Sequence, residues 1–159
     1  MINSIMDILT KEECQTIINA DHNWKVVDLV KKSGCIIKCQ SAEFKHWSNK
    51  YPTILKEQVV KYGVGDFCSE HIDTAWPEIH PNYRAHTTWI TPLSASDDYE
   101  GGELYIEDEL TEQLVGVPIK FLRTTLHEIT KITKGTRYSL VAWVFIKRDS
   151  PLRNHAKGN

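Results

Sequence analysis

The stretch SEHIDTAW (residues 69–76) sets His71 and Asp73 two positions apart around Ile72. On an extended strand side chains alternate faces, so His71 and Asp73 share one face and Ile72 takes the other. Such a pair could hold a metal, or could be no more than a polar strand edge. A third candidate, His127, stands in TTLHEITKITKGTRYSLVAW. Two imidazoles and one carboxylate leave three positions of an octahedral ion open, the arrangement suited to non-haem Fe(II) and O2 chemistry. Arg137 follows ten residues after His127, with Ser139 two beyond it. Arg137, Ser139, Val141 and Trp143 alternate onto one face of a strand. An arginine among Leu, Val, Trp and Phe is costly to bury unless it meets an anion. That anion is either a protein carboxylate or a ligand carboxylate gripped by the guanidinium fork.

These residues need strands to carry them. The turn Thr133-Lys134-Gly135 predicts a hairpin that lays the strand of Arg137 beside that of His127. After Val59 strand-like runs follow one another: VVKYG, CSEHID, RAHTTWITPL, GELYIE, QLVGVPIKFL, LHEITKI and TRYSLVAWVF. Glycines and prolines separate them, the pattern of a sandwich, barrel or jelly roll. Upstream, ILTKEECQTIINA (8–20) predicts a helix, with Thr10 as N-cap and Glu13 completing a capping box. WKVVDLV and GCIIKCQS read as two short strands, and the segment from Ser41 to Val60 as partly helical with a break near Pro52. The expectation is one domain over 1–159: a helical N-terminal part over about 1–58 and a mainly β core over about 59–148.

Composition narrows the partners. A net charge of −2 gives no overall attraction to nucleic acid or to anionic membrane. No apolar stretch approaches the roughly 20 residues of a membrane span, and the start shows no signal-peptide pattern, so the chain reads as cytoplasmic. Charge is unevenly spread. Residues 97–112 carry eight acids and no base, whereas nine Lys/Arg face only Glu128 and Asp149 from Lys120 onward. Both runs read as solvated edges and loops. The four cysteines are too sparse for a disulfide scaffold. Cys35 and Cys39 have no second pair to complete a four-ligand zinc site, so all four read as buried thiols.

From Tyr62 to Arg148 the chain resembles the 2-oxoglutarate/Fe(II)-dependent dioxygenases, and the prolyl-4-hydroxylase-like group within them. DDYEGGELYIED, LHEITKITKGTRYSLVAWVFIKRD and RAHTTWITPLS are similar to the PKHD-type hydroxylases, and LTKEEC to that group's opening helix. The resemblance implies a double-stranded β-helix core of the jelly-roll or cupin-like kind. It implies that His71, Asp73 and His127 bind iron, and that Arg137 holds the distal carboxylate of 2-oxoglutarate with Ser139 and Tyr62 beside it. It implies O2 as second co-substrate, ascorbate as reductant, and succinate and CO2 as products of hydroxylation. Before the distal histidine this chain has Val117 and Leu122-Arg123 where the family pattern has an acid and Pro-Ser. Arg84 matches an arginine that opens the next strand in PKHD-type relatives. Arg84, Trp89, Arg123 and Trp143 are the residues expected around a substrate, and Thr88 or Glu128 the expected supports of the ligands.

The substrate so implied is a prolyl or similar residue of a protein or peptide, with a free amino acid or small metabolite as alternative. Three other readings compete: a non-catalytic cupin-like metal module, a zinc hydrolase needing a general base at the metal, and a nucleic-acid demethylase needing a basic, aromatic groove.

Overall fold

The computed structural model describes residues 7–73 and 81–148. Thr10 opens α1 (Lys11–Asn19), and the capping box forms as expected: Thr10 Oγ1 accepts from Glu13 N and a Glu13 oxygen accepts from Thr10 N. Cys14 and Ile17 turn inward from α1. They pack with Leu9, Trp47, Val59, Leu140 and Ala142. No helix of the described residues is long and apolar enough to cross a membrane.

Twelve strands follow: β1 (Lys25–Val30), β2 (Ile36–Glu43), β3 (Ile54–Tyr62), β4 (Phe67–His71), β5 (Tyr83–Pro92), β6 (Tyr99–Glu100), β7 (Leu104–Ile106), β8 (Glu109–Thr111), β9 (Ile119–Leu122), β10 (His127–Ile129), β11 (Lys134–Gly135) and β12 (Arg137–Lys147). Ten join in one curled antiparallel sheet, ordered β8-β7-β10-β4-β2-β3-β12-β5-β9, with β1 beside β2. β2 joins two halves. Its Ile37–Lys38 end pairs with β4, and its Gln40–Glu43 end pairs with β3. Both faces of β12 are largely buried, as a central strand requires.

Three expectations change. The part over about 1–58 holds more strand than helix: α1 is its single α-helix among the described residues, and Trp47–Asn49 forms only a 3₁₀ turn. β3 begins at Ile54 because it is paired on both sides, by β2 and by β12. Within QLVGVPIKFL only Ile119–Leu122 is strand. Gly116 turns the chain at φ +80°, where a Cβ would meet the Leu9 carbonyl oxygen at 2.0 Å. The hairpin between His127 and Arg137 does not form. β10 pairs with β4 and β7, while β12 pairs with β3 and β5. Between them β11 pairs with β6, so the chain crosses from one half to the other.

Candidate metal centre and its cavity

That crossing places the ligands on one half and the arginine on the other. Antiparallel pairing sets His127 directly opposite His71, and the imidazole centroids lie 4.2 Å apart. Asp73 stands two residues past His71. Its N–H donates to the Arg123 carbonyl (2.8 Å), and Arg123 N–H donates to the His86 carbonyl (2.9 Å). Ligand atoms of His71, Asp73 and His127 all lie within 4.8 Å of one another.

Each imidazole is fixed by its own strand. His71 Nδ1 is 2.8 Å from the Ser69 carbonyl and His127 Nδ1 is 2.9 Å from the Thr125 carbonyl. A carbonyl only accepts, so each Nδ1 carries the proton and each neutral ring keeps its lone pair on Nε2. Both Nε2 atoms face Asp73 Oδ1, at 3.3 Å and 3.6 Å. The other carboxylate oxygen, Oδ2, accepts from Thr88 Oγ1 (2.6 Å) and Trp143 Nε1 (3.2 Å). Burial works to raise the Asp73 pKa. The two imidazoles beside it and the Thr88 hydroxyl outweigh burial and hold the carboxyl at about 2. Burial pushes His127 below the usual histidine range, against the pull of Asp73. With each Nδ1 proton on its strand carbonyl, the two Nε2 atoms and Asp73 Oδ1 converge on one point. This is repulsive by itself and is relieved by a cation; two nitrogens and a carboxylate oxygen fit a ferrous ion.

A cavity of about 500 Å³ opens on these ligands between the halves of the sheet. One half contributes Val60, Tyr62, Thr88, Ile90 and Trp143, the other Cys68 and Ile129, and β1 adds Val27 and Leu29. This volume suits a small ligand in a mainly apolar wall. Arg137 and Ser139 are 1% exposed and do not border the cavity. Tyr62, opposite Arg137 in the β3–β12 register, does, and its ring centre is 5.5 Å from the guanidinium carbon. Arg137 Nε and Nη2 donate to Gln113 Oε1 (3.0 and 2.8 Å), and Nη1 reaches Ser139 Oγ at 3.4 Å. Gln113 is held in turn by its Nε2–H donating to the Gly102 carbonyl (3.0 Å). Among the described residues no carboxylate lies within ion-pairing distance of Arg137. Burial lowers the Arg137 pKa, yet guanidinium keeps its charge in proteins. A buried cation with only neutral partners is a fitting receptor for an anionic group.

The expected surroundings of a substrate separate. Trp143 lines the cavity and binds Asp73. Trp89 does not, because alternation along β5 turns Thr88 and Ile90 to the cavity and Trp89 to the opposite face. There it packs edge-on against Trp47 and Tyr51, with Lys120 Nζ 3.9 Å above its ring. Arg84 is exposed and off the cavity. A register shift opposite Val144 and Phe145 breaks the alternation that would have aligned it with Thr88. Arg123 serves through its backbone, as described, and its side chain does not line the cavity. Thr88 is the expected support of Asp73, whereas Glu128 falls between two inward residues of β10 and faces away. Gln113 escaped sequence reasoning. It lies outside any strand, and only its two-sided amide bonding reveals it.

A family profile described as the 2OG-Fe(II) oxygenase superfamily matches residues 57–145. The chain belongs to that superfamily. A PKHD-type hydroxylase from Caulobacter sp. (strain K31) is 33% identical over 112 residues, covering 66% of this chain and 48% of the relative. The chain spans less than half the length of the curated relatives it matches. Among solved structures, a viral collagen prolyl hydroxylase from Paramecium bursaria Chlorella virus-1, complexed with 2OG, superposes with a TM-score of 0.60 at 18% identity. That match covers 87% of this chain and 92% of the viral one. A prolyl-4-hydroxylase from Pseudomonas putida gives 0.60 at 16% identity, covering 89% and 90%. Both superpositions show a shared fold, the curled antiparallel sheet.

Proposed function

We propose that this chain is an Fe(II)- and 2-oxoglutarate-dependent dioxygenase that hydroxylates a prolyl or other residue of a protein or peptide, releasing succinate and CO2. The observation that carries the reading is the convergence of His71 Nε2, His127 Nε2 and Asp73 Oδ1, each nitrogen fixed as an acceptor by its own strand. The superfamily membership and the names of the relatives support it. In this reading His71, Asp73 and His127 hold the iron, and Arg137, Ser139 and Tyr62 hold the far carboxylate of 2-oxoglutarate. Bound iron and 2-oxoglutarate supply O2-dependent oxidative decarboxylation and the hydroxylating power, with ascorbate as the reductant that keeps iron ferrous.

The protein's own part is positional. Thr88 and Trp143 occupy Oδ2 of Asp73, so Oδ1 is the oxygen presented to the ion. Phe121, whose ring is 4.6 Å from that of His127, and Ile129 keep water from that side of the centre. Gln113 keeps the Arg137 fork in place until a carboxylate takes it. A small anionic substrate is the second reading. Lys31 and Lys56 line the cavity, and Asp73 is the one acidic side chain among its described lining residues.

Purified protein given Fe(II), ascorbate and 2-oxoglutarate is expected to release succinate slowly without substrate, and Arg137→Ala to raise the 2-oxoglutarate requirement about 100-fold, the usual scale for emptying a buried charge pair. Succinate release that ignores Arg137→Ala sinks the assignment of the co-substrate site. Peptide and free amino acid substrates separate by which one accelerates succinate release and gains the mass of one oxygen.

A further inference from the structure

Three of the four buried thiols, Cys35, Cys39 and Cys68, lie in one core cluster, and Cys39 and Cys68 line the cavity. Cys68 sits three residues before His71 on β4, with its Sγ 3.5 Å from His71 Nδ1 and 3.8 Å from Nε2. Cys35 approaches from the turn before β2, where Ile36 N–H donates to Ser69 Oγ at 2.8 Å. Both thiols and His71 Nδ1 point at one backbone oxygen, that of Ser69, at 3.7, 3.9 and 2.8 Å. The two sulfurs and a His71 nitrogen lie within 4.8 Å of one another.

We propose that Cys35, Cys68 and His71 form a second metal site, for a thiophilic divalent cation of the zinc type, and that filling it withdraws His71 from the iron triad. Tetrahedral zinc with Zn–S near 2.3 Å and Zn–N near 2.0 Å sets sulfur and nitrogen about 3.5 Å apart and two sulfurs about 3.8 Å apart. Cys68 and His71 already stand at the first spacing. Cys35 closes the second with a shift of at most about 1 Å. A neutral imidazole has one lone pair. If Nε2 takes the cation, iron loses that lone pair; if Nδ1 takes it, the proton moves to Nε2 and iron loses it again. The two metals therefore exclude each other. Donor softness sorts them, since two sulfurs and a nitrogen suit zinc and the harder N2O triad suits iron. Each thiol releases its proton to solvent as its sulfur binds, and at Cys68 the metal must overcome burial, which pushes that thiol up.

The site stands on its geometry; only its inhibitory consequence rests on the oxygenase reading. Cobalt(II) is added to the metal-free full chain and the near-ultraviolet sulfur-to-cobalt charge-transfer band is followed. The wild type is expected to show the band, Asp73→Asn to keep it, and Cys35→Ser and Cys68→Ser each to weaken cobalt binding by at least about tenfold. No band in the wild type, or a band unmoved by either serine variant, overturns the site. Should a variant fail to fold by circular dichroism, zinc-edge X-ray absorption of the wild type decides. Two sulfur neighbours support the site and fewer overturn it. Zinc should then inhibit succinate release, with Cys35→Ser tolerating about tenfold more zinc. A cobalt band without that zinc effect overturns the inhibition and leaves the site standing.

Discussion

Two carboxylates, buried Asp7 and part-buried Asp73, show how differently one fold treats an acid. Asp7 lies by the α1 face, where Lys120 Nζ is 2.9 Å from Oδ2 and the Tyr51 hydroxyl donates to Oδ1. Lys50 stands 4.0 Å away. Its charge is met by the protein's own cations. Glu57, nearby, is likewise saturated by the N–H groups of His46, Trp47 and Ser48 and by the Ser48 hydroxyl. Asp73 has donors on one oxygen only, and the other faces two imidazole lone pairs. A saturated acid holds structure together. A half-saturated acid among lone pairs is a receptor, incomplete without something positive.

The sharpest way to break this contrast is to remove the charge at the receptor. Asp73→Asn is expected to lower Fe(II) affinity by more than about 100-fold, beyond what indirect supports of a metal cost, measured by calorimetry on folded protein. Retained iron binding would mean that Asp73 is merely another structural acid. A milder probe is Thr88→Val, which leaves the ligand but frees Oδ2. It should cost about 10–100-fold in metal affinity, and a neutral result would place the control of Asp73 elsewhere.

The smallest effect is at the saturated acid. Asp7→Asn should lose about 1–3 kcal/mol of stability, the scale of hydrogen bonds to a charged group, with iron affinity unchanged. Burial works to raise the Asp7 pKa, but hydrogen bonds from Tyr51 and Lys120 and the charges of Lys120 and Lys50 hold it below the ordinary value. A folded pKa below the unfolded one stabilises the protein above the unfolded value of about 3.9 and fades as pH falls through the folded value. The wild-type advantage in urea midpoint should therefore shrink below about pH 4. An advantage that grew on acidification would reverse the sign assigned to Asp7.

Residue type and spacing made the triad and Arg137 legible, because two-residue alternation on a strand is a local property. The capping box of α1 was legible for the same reason. Whatever depends on which strands become neighbours was not. TKGT reads as a hairpin turn, yet β11 pairs with β6 and sends Arg137 to the other half. Trp89 and Trp143 are both strand aromatics, and only the position of α1 and the cavity decides that one packs with Trp47 and the other bonds Asp73. Gln113 lies outside periodic structure, so no pattern marks it. Cys35 and Cys68 are 33 residues apart, and only the β2–β4 pairing brings them together.

β2 is the one strand that pairs with both halves of the described sheet. The candidate metal ligands hang from one side of it and the guanidinium from the other. A dicarboxylate stretched from iron to Arg137 would lie across that seam as a second fastening. Occupancy of the site and the mechanical stiffness of the barrel would then be the same event, and a molecule too short to reach both sides would bind without tightening it.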